Sequence, residues 1–431
     1  MSVSSAQRVG QRRKPKPPAR PVPERKPTAR TKPLHFEWNL IVLVTTALVL
    51  FGLVMVYSAT SGSAVLGHAN PLGYVERQAL FALAGLGALF VLSRLDLDKI
   101  RALAPSFVVA ALIVCVGVLA VGTRVNGARR WVDVGPLVFQ PSEFAKLALV
   151  IFTAAYLSRR SAPRTLKELA KPVGLVAFVF AGLVLLEPDL GTALVIMLVV
   201  GAILLVSGTR MSLLVRAYGL VIALAGIAAW SSPYRRDRLV TFLDPWKDPL
   251  GAGLQNVQAL ISLGSGGIFG TGLGHGPSTG GFLPAAPTDM MAAVIGCQFG
   301  LIGMTLVLVA FCAFAYAGTR IALACKDPFG KRVAAGVTAL VCGQAAINIA
   351  AVVGAAPLTG IPLPFLSYGG SSLMVMLGAV GVLLNIARNG GRAAAAVPDR
   401  GRGDGRTRRA GARSRRSAPA PRRARDVRRL A

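Results

Sequence analysis

Residues 39–57 read NLIVLVTTALVLFGLVMVY, nineteen positions without a charge. A helix needs roughly 17–25 mostly apolar residues to cross the hydrocarbon core of a bilayer, so this run is long enough to span. Working outward from it, further apolar runs lie at about 78–92, 106–121, 144–157, 172–186, 190–206, 213–230, 291–316, 333–353 and 371–387. The fold class is therefore all-α, a polytopic membrane protein with about ten transmembrane helices. Composition agrees. Of 431 residues, 53% are hydrophobic and 15% charged, and the mean hydropathy is +0.58, on the apolar side of soluble domains. The first run follows a long charged arm, so it reads as an anchor and not as a cleaved leader.

The formal net charge is +30, and its location decides what it means. Residues 1–38 carry 10 Lys/Arg against 2 acidic residues, and residues 388–431 carry 15 against 3, so the ends hold +20 of the total. Runs such as Arg12-Arg13-Lys14-Pro15-Lys16-Pro17-Pro18 and Arg413-Ser414-Arg415-Arg416 lack the apolar residues needed to offset ordering entropy. The chain thus divides into a basic arm (1–36), a membrane domain (37–388) and an Arg-rich tail (389–431), with both arms expected to be disordered and cytoplasmic. No aromatic residues are interleaved with the arginines, which argues against nucleic acid and for attraction to anionic membrane lipids. The five cysteines show no CxxC spacing, and His35, His68 and His275 are scattered, so neither a disulfide framework nor a zinc site is indicated.

Orientation follows from the short loops. With the N-terminus inside, they hold Arg94, Lys99 and Arg101, then Arg159, Arg160, Arg164, Lys167 and Lys171, then Arg210, and finally Arg320, Lys326, Lys331 and Arg332. Short loops rich in Lys and Arg stay cytoplasmic, which places both termini inside. The outer face then carries cations that topology does not require: Arg124, Arg129 and Arg130 in one loop, and Arg235, Arg236, Arg238 and Lys247 in the large outer loop 231–290.

Four outer loops carry groups suited to chemistry. In the first, Arg129, Arg130 and Trp131 precede Gln140-Pro141-Ser142-Glu143, and Pro141 suits a helix start. Gln140, Glu143 and Lys146 then fall three apart on one helix face, so an acid and a base enter the membrane together. They read either as a packing ion pair or as part of a site, and the nearby cations suit an anionic headgroup such as a pyrophosphate. In the second loop, Glu187-Pro188-Asp189 reads as a capped turn. The third runs through Asp244, Lys247, Gln255 and a glycine-rich stretch at 264–274, which has no P-loop ending, and stops at Asp289 at the mouth of the eighth membrane helix. An N-cap is the plain reading of Asp289 taken alone. The fourth, 354–372, is rich in Pro and Gly, which predicts a rigid, partly re-entrant wall and hence a cavity to receive its polar groups.

These loops, in this order, resemble the SEDS family of peptidoglycan glycosyltransferases (FtsW/RodA/SpoVE), with the closest look to its division branch, FtsW. The matching stretches are 52–58, Arg130-Trp131 with Gln140-Pro141-Ser142-Glu143 and Lys146, Pro188-Asp189-Leu190-Gly191, Asp244-Pro245 with Gln255, Gly264-Ser265-Gly266-Gly267 with Leu283-Pro284 and Thr288-Asp289, and 362–372. The resemblance implies polymerisation of lipid II, the undecaprenyl-pyrophosphate disaccharide-peptide, into glycan strands during septal wall synthesis in the bacterial plasma membrane. It implies a class B penicillin-binding transpeptidase and other division proteins as partners. By position it makes Asp289 the essential acidic residue and Trp131, Gln140, Glu143 and Lys146 cavity residues. Arg129, Arg130 and Lys146 are expected to stabilise the pyrophosphate, with room for a divalent cation, Mg or Mn. The chain departs from the pattern at Cys297-Gln298, where a Glu-Glu pair is usual. Two alternatives stay open: a flippase for the lipid-linked precursor, and a catalytically weak scaffold of the division machinery.

Overall fold

The structure, a computed structural model, describes residues 34–65, 70–125, 128–134, 137–187, 189–230, 241–278 and 283–389. The arms, apart from residues 34–36 and 389, and the cations Arg235, Arg236 and Arg238 lie outside the described residues.

In chain order the elements are α1 (His35–Val65), α2 (Pro71–Leu92), α3 (Leu97–Val121), β1 (Thr123–Val125), β2 (Ala128–Val134), β3 (Leu137–Phe139), α4 (Pro141–Ser158), α5 (Leu166–Leu186), α6 (Leu190–Val206), α7 (Met211–Trp230), α8 (Leu254–Gly266), α9 (Met291–Ala324), α10 (Pro328–Val352) and α11 (Gly370–Asn389). Every apolar run read from the sequence is helical. Among the described residues seven helices qualify as membrane spans by length and hydropathy alone, while α6 and the described apolar part of α7 are shorter. The remaining member, α4, carries a buried acid and base.

Helix starts follow local chemistry. Asn70, Asp189 and Asp327 each accept from a backbone N–H three residues on, at Gly73, Thr192 and Gly330, and Pro71, Pro141 and Pro328 occupy first positions, where no N–H is needed. The centre of the bundle is α11, nearly all of it buried, packed on α2 and flanked by α10, α4 and α1. Small residues permit this approach: a Cβ at Gly381 would stand 2.5 Å from the Leu89 carbonyl oxygen. Asn385, fully buried, donates to the carbonyls of Leu92 and Leu95 at the end of α2. That satisfies carbonyls which would otherwise be orphaned in an apolar setting.

Two features were not anticipated. The loop of residues 122–140 is not irregular: β1, β2 and β3 form a small antiparallel sheet, with Thr123 opposite Trp131 and Val132 opposite Phe139. The other concerns the glycine-rich run, whose close approach is to backbone. Helix α9 is broken at Gly300 (φ 63°, ψ −156°), a conformation open essentially to glycine. The break frees carbonyls before it and N–H groups after it, and the run after α8 takes up both. Thr271 N and Gly272 N donate to the carbonyls of Cys297 and Gln298 at 3.0 and 3.1 Å, while Leu301 N donates to Gly267 O at 2.9 Å. A Cβ at Gly266 or Gly270 would lie 2.0 or 2.1 Å from a carbonyl oxygen of α9, so the glycines serve a main-chain clasp.

Candidate functional site

The segment between α10 and α11 folds back as a wall, as its prolines and glycines predicted. Its polar groups are received by protein. Gln344 and Asn348 lie one turn apart on α10, both buried. The Gln344 amide donates to Pro362 O at 2.9 Å. The Asn348 amide donates to Ile361 O and to the backbone carbonyl of Asp289, each at 2.8 Å. One side chain thereby ties the wall to the start of α9.

Between this wall, α2 and the sheet is a cavity of about 270 Å³ whose lining includes Arg77, Trp131, Gln140, Asp289, Tyr368 and Ser371. The structure thus brings Asp289, Trp131 and Gln140 together, although they are separated by up to 158 positions in the chain. Asp289 is not the N-cap of α9; Met290 holds that position. Its carboxylate is met by Thr288 Oγ1 at 3.2 Å and by Gln255 Nε2 of α8 at 3.5 Å. Gln140 precedes α4 and is fixed through three contacts. Its backbone N–H donates to Ser371 Oγ at 3.0 Å, and its side-chain amide donates to Ser142 Oγ at 3.0 Å and to Asp189 Oδ2 at 3.4 Å.

Glu143 and Lys146 form the expected pair but stand behind the cavity. Lys146 Nζ donates to Glu143 Oε1 and to Gln344 Oε1, each at 2.7 Å, and both side chains are about 1% exposed or less. Through Gln344 the pair braces the wall at Pro362. Arg129 lies away from the cavity lining. Its guanidinium donates to the carbonyls of Leu119 and Ala120 at 3.2 Å, meeting the need of α3 for donors at its last turn. The Arg130 Nε donates to Glu187 O at 2.6 Å. Neither arginine is among the described residues lining the cavity.

Three polar residues were missed. Arg77 lines the cavity from α2; it is a cation at the outer end of a membrane helix, against the inside rule, and could have been flagged on that ground. Gln344 and Asn348 are amides within an apolar run, and polar groups inside a membrane helix usually have a partner and a purpose. Glu187, at the turn after α5, is 1% exposed, and neither carboxylate oxygen has a hydrogen-bond partner. Burial, and then the neighbouring Asp189, push its carboxyl up to about 8, with Arg130 opposing.

Among the described residues no group of three His, Cys, Asp or Glu side chains is placed to hold a metal ion, and Asp289 is the one carboxylate among the described lining residues. A resident cation held by protein ligands alone does not fit this donor set. Cys297 and Gln298 are not cavity residues. Gln298 accepts from Ser58 Oγ at 2.7 Å, and Cys297 Sγ lies 3.5 Å from Ser265 Oγ, both within the clasp.

Among the described residues, the apolar helices and a cavity whose lining holds one carboxylate and one arginine define a multi-pass membrane protein with a polar site at its outer end. The chain belongs to the cell cycle protein family of FtsW, RodA and SpoVE, whose pattern matches residues 38–391. It is 39% identical over 358 residues to stage V sporulation protein E of Bacillus subtilis, covering 81% of this chain and 96% of that one. With a probable peptidoglycan glycosyltransferase FtsW of Trichlorobacter lovleyi it shares 38% over 354 residues, covering 81% and 93%. Among solved structures, it resembles a chain from a peptidoglycan synthase complex that coordinates polymerization and crosslinking (TM-score 0.68, 31% identity, 82% and 98% covered). It also resembles the rod shape determining protein RodA of Thermus thermophilus (TM-score 0.60, 30% identity, 82% and 96% covered).

Proposed function

We propose that this protein is a peptidoglycan glycosyltransferase that polymerises lipid II at the outer face of the bacterial plasma membrane, in septal wall synthesis and with a class B penicillin-binding transpeptidase. The observation that carries this reading is Asp289: a single carboxylate held at a cavity by Asn348, Thr288 and Gln255, with Arg77 in the same lining. Family membership and the names of the relatives support the reaction class.

The reaction joins an acceptor sugar hydroxyl to the anomeric carbon of a second lipid-linked sugar. A C–O bond forms, the C–O bond to the lipid pyrophosphate breaks, and the pyrophosphate leaves with the electron pair. Asp289 takes the hydroxyl proton as general base, and cationic charge from Arg77 offsets the charge developing on the leaving group. Trp131 offers a face for a sugar ring, and Gln140 a polar group fixed by the first turns of α4 and α6. Glu143 and Lys146 act through the wall and not on the substrate.

The test uses the full-length protein purified with its transpeptidase and given labelled lipid II. Glycan strands longer than a dimer are expected, with none from the transpeptidase alone. Absence of polymer, together with lipid II movement across vesicles containing the protein, would overturn the polymerase reading in favour of transport.

A further inference from the structure

At the opposite end of the bundle from Asp289, a second cavity opens between the C-terminal end of α4, the start of α5 and α6. Its volume is about 540 Å³, within the range of small-molecule sites. The loop that borders it is one of the strongly basic short loops that fix the cytoplasmic side. Topology accounts for cations in that loop, but not for a cavity lined by them.

The charges around it are arranged for an anion. Arg160, Lys167 and Lys171 face one acidic group, Glu168, and Glu168 is turned to the backbone, accepting from Arg164 N at 2.9 Å. Arg160 is pinned, its guanidinium 4.4 Å over the Tyr156 ring and hydrogen-bonded to the Tyr156 hydroxyl. Lys167 and Lys171 join none of the ion pairs among the described residues. Among the described residues, two cations at the cavity rim thus have no ion-pair partner. The floor is apolar, formed by Leu157, Val173 and Leu204. Beside it, Leu175 and Phe178 stand one turn apart on α5, both more than half exposed, as a stripe that would lie against acyl chains.

From this juxtaposition we propose that the cavity binds the phosphate headgroup of an anionic glycerophospholipid of the cytoplasmic leaflet, with Lys167 and Lys171 as its ligands and the acyl chains lying along α5. Basic pockets between membrane helices on the cytoplasmic side have the right chemistry for such headgroups, and the apolar stripe favours a lipid over a free phosphate.

The test uses the full-length protein in neutral detergent, with its thermal unfolding midpoint followed against phosphatidylglycerol, phosphatidylcholine, glycerophosphoglycerol and inorganic phosphate. Phosphatidylglycerol should raise the midpoint saturably, and the other three should not at the same concentration. Lys167→Gln with Lys171→Gln should raise the half-saturating phosphatidylglycerol concentration about thirtyfold, the scale expected for two interfacial lysines. The charge-matched control, Lys326→Gln with Lys331→Gln, should leave it unchanged. Three results would overturn the proposal: an equal loss in the control, which means general surface attraction; an equal response to glycerophosphoglycerol or phosphate, which means a free-anion site; or no preference for phosphatidylglycerol over phosphatidylcholine.

Discussion

Replacing Lys146 with Met removes the one cation beside Glu143 and leaves two acceptors stranded. Glu143 Oε1 and Gln344 Oε1 each accept a hydrogen bond from Lys146 Nζ at 2.7 Å, and Glu143 Oε2 already has no hydrogen-bond partner. Glu143 is about 1% exposed, so solvent does not compensate. Removing one partner of a buried pair costs about 3–5 kcal/mol. Met nearly matches the Lys stem in shape, so little of that cost is a cavity. Glu143→Gln in the same chain restores a neutral group and should recover roughly half of the loss or more, a coupling of about 2 kcal/mol or larger. The assay is reversible unfolding of the purified protein in mixed micelles, for the wild type, both single variants and the double variant. Strict additivity would refute the argument, since it would mean that Glu143 is as well accommodated without Lys146 as with it. Polymerisation should fall in the single variant, because Gln344 loses its anchor and with it the support of Pro362.

Asn348→Leu removes the two donors that hold Asp289 and Ile361. It should cost about 2–3 kcal/mol in stability and lower the polymerisation rate more than the apparent affinity for lipid II, read from a kcat against KM split. Gly300→Ala places a Cβ 2.4 Å from Ile268 O at a positive φ; it should destabilise by about 2 kcal/mol or more and speed hydrogen exchange at Thr271 and Gly272. Glu187→Gln should stabilise the protein above neutral pH. In the wild type the folded carboxyl titrates at about 8, above its ordinary value of 4.5, so the folded state holds a proton that the unfolded chain releases. Wild-type stability then falls as pH rises between about 4.5 and 8, by up to about 1.4 kcal/mol per pH unit. The Gln variant should lack that slope in a pH series of unfolding midpoints.

The helices were legible because bilayer thickness imposes a minimum apolar length and each run met or approached it; the neighbouring runs at 172–186 and 190–206 are set apart by the Asp189 cap. Pairing of Glu143 with Lys146 was legible from spacing, as was a proline-rich wall needing polar support. What was not legible depends on contacts distant in sequence. The sheet was hidden by its short strands, although Asn126-Gly127 is itself a hairpin dipeptide. The role of the glycine-rich run was not legible, because nothing local reveals that Gly300 would break α9 and leave carbonyls for Thr271 and Gly272 to meet. The contact of Arg129 with the last carbonyls of α3 was not legible either, since charge alone does not reveal a helix cap. The amides Gln344 and Asn348 were present in the sequence and were passed over; their isolation in an apolar helix was the available signal.

In the proposed reaction Asp289 accepts the proton of the acceptor hydroxyl. The structure makes its test cleaner, because Met290 and not Asp289 occupies the N-cap of α9, and Asn at 289 keeps the backbone carbonyl that Asn348 holds. The decisive measurement is the rate of lipid II polymerisation by Asp289→Asn against the wild type, each purified with the partner transpeptidase and matched for unfolding midpoint. The account predicts a folded variant, bound to its partner, with a rate reduced about 10²–10⁴-fold, the range for loss of a general base. A folded variant polymerising within a few-fold of wild type would contradict it.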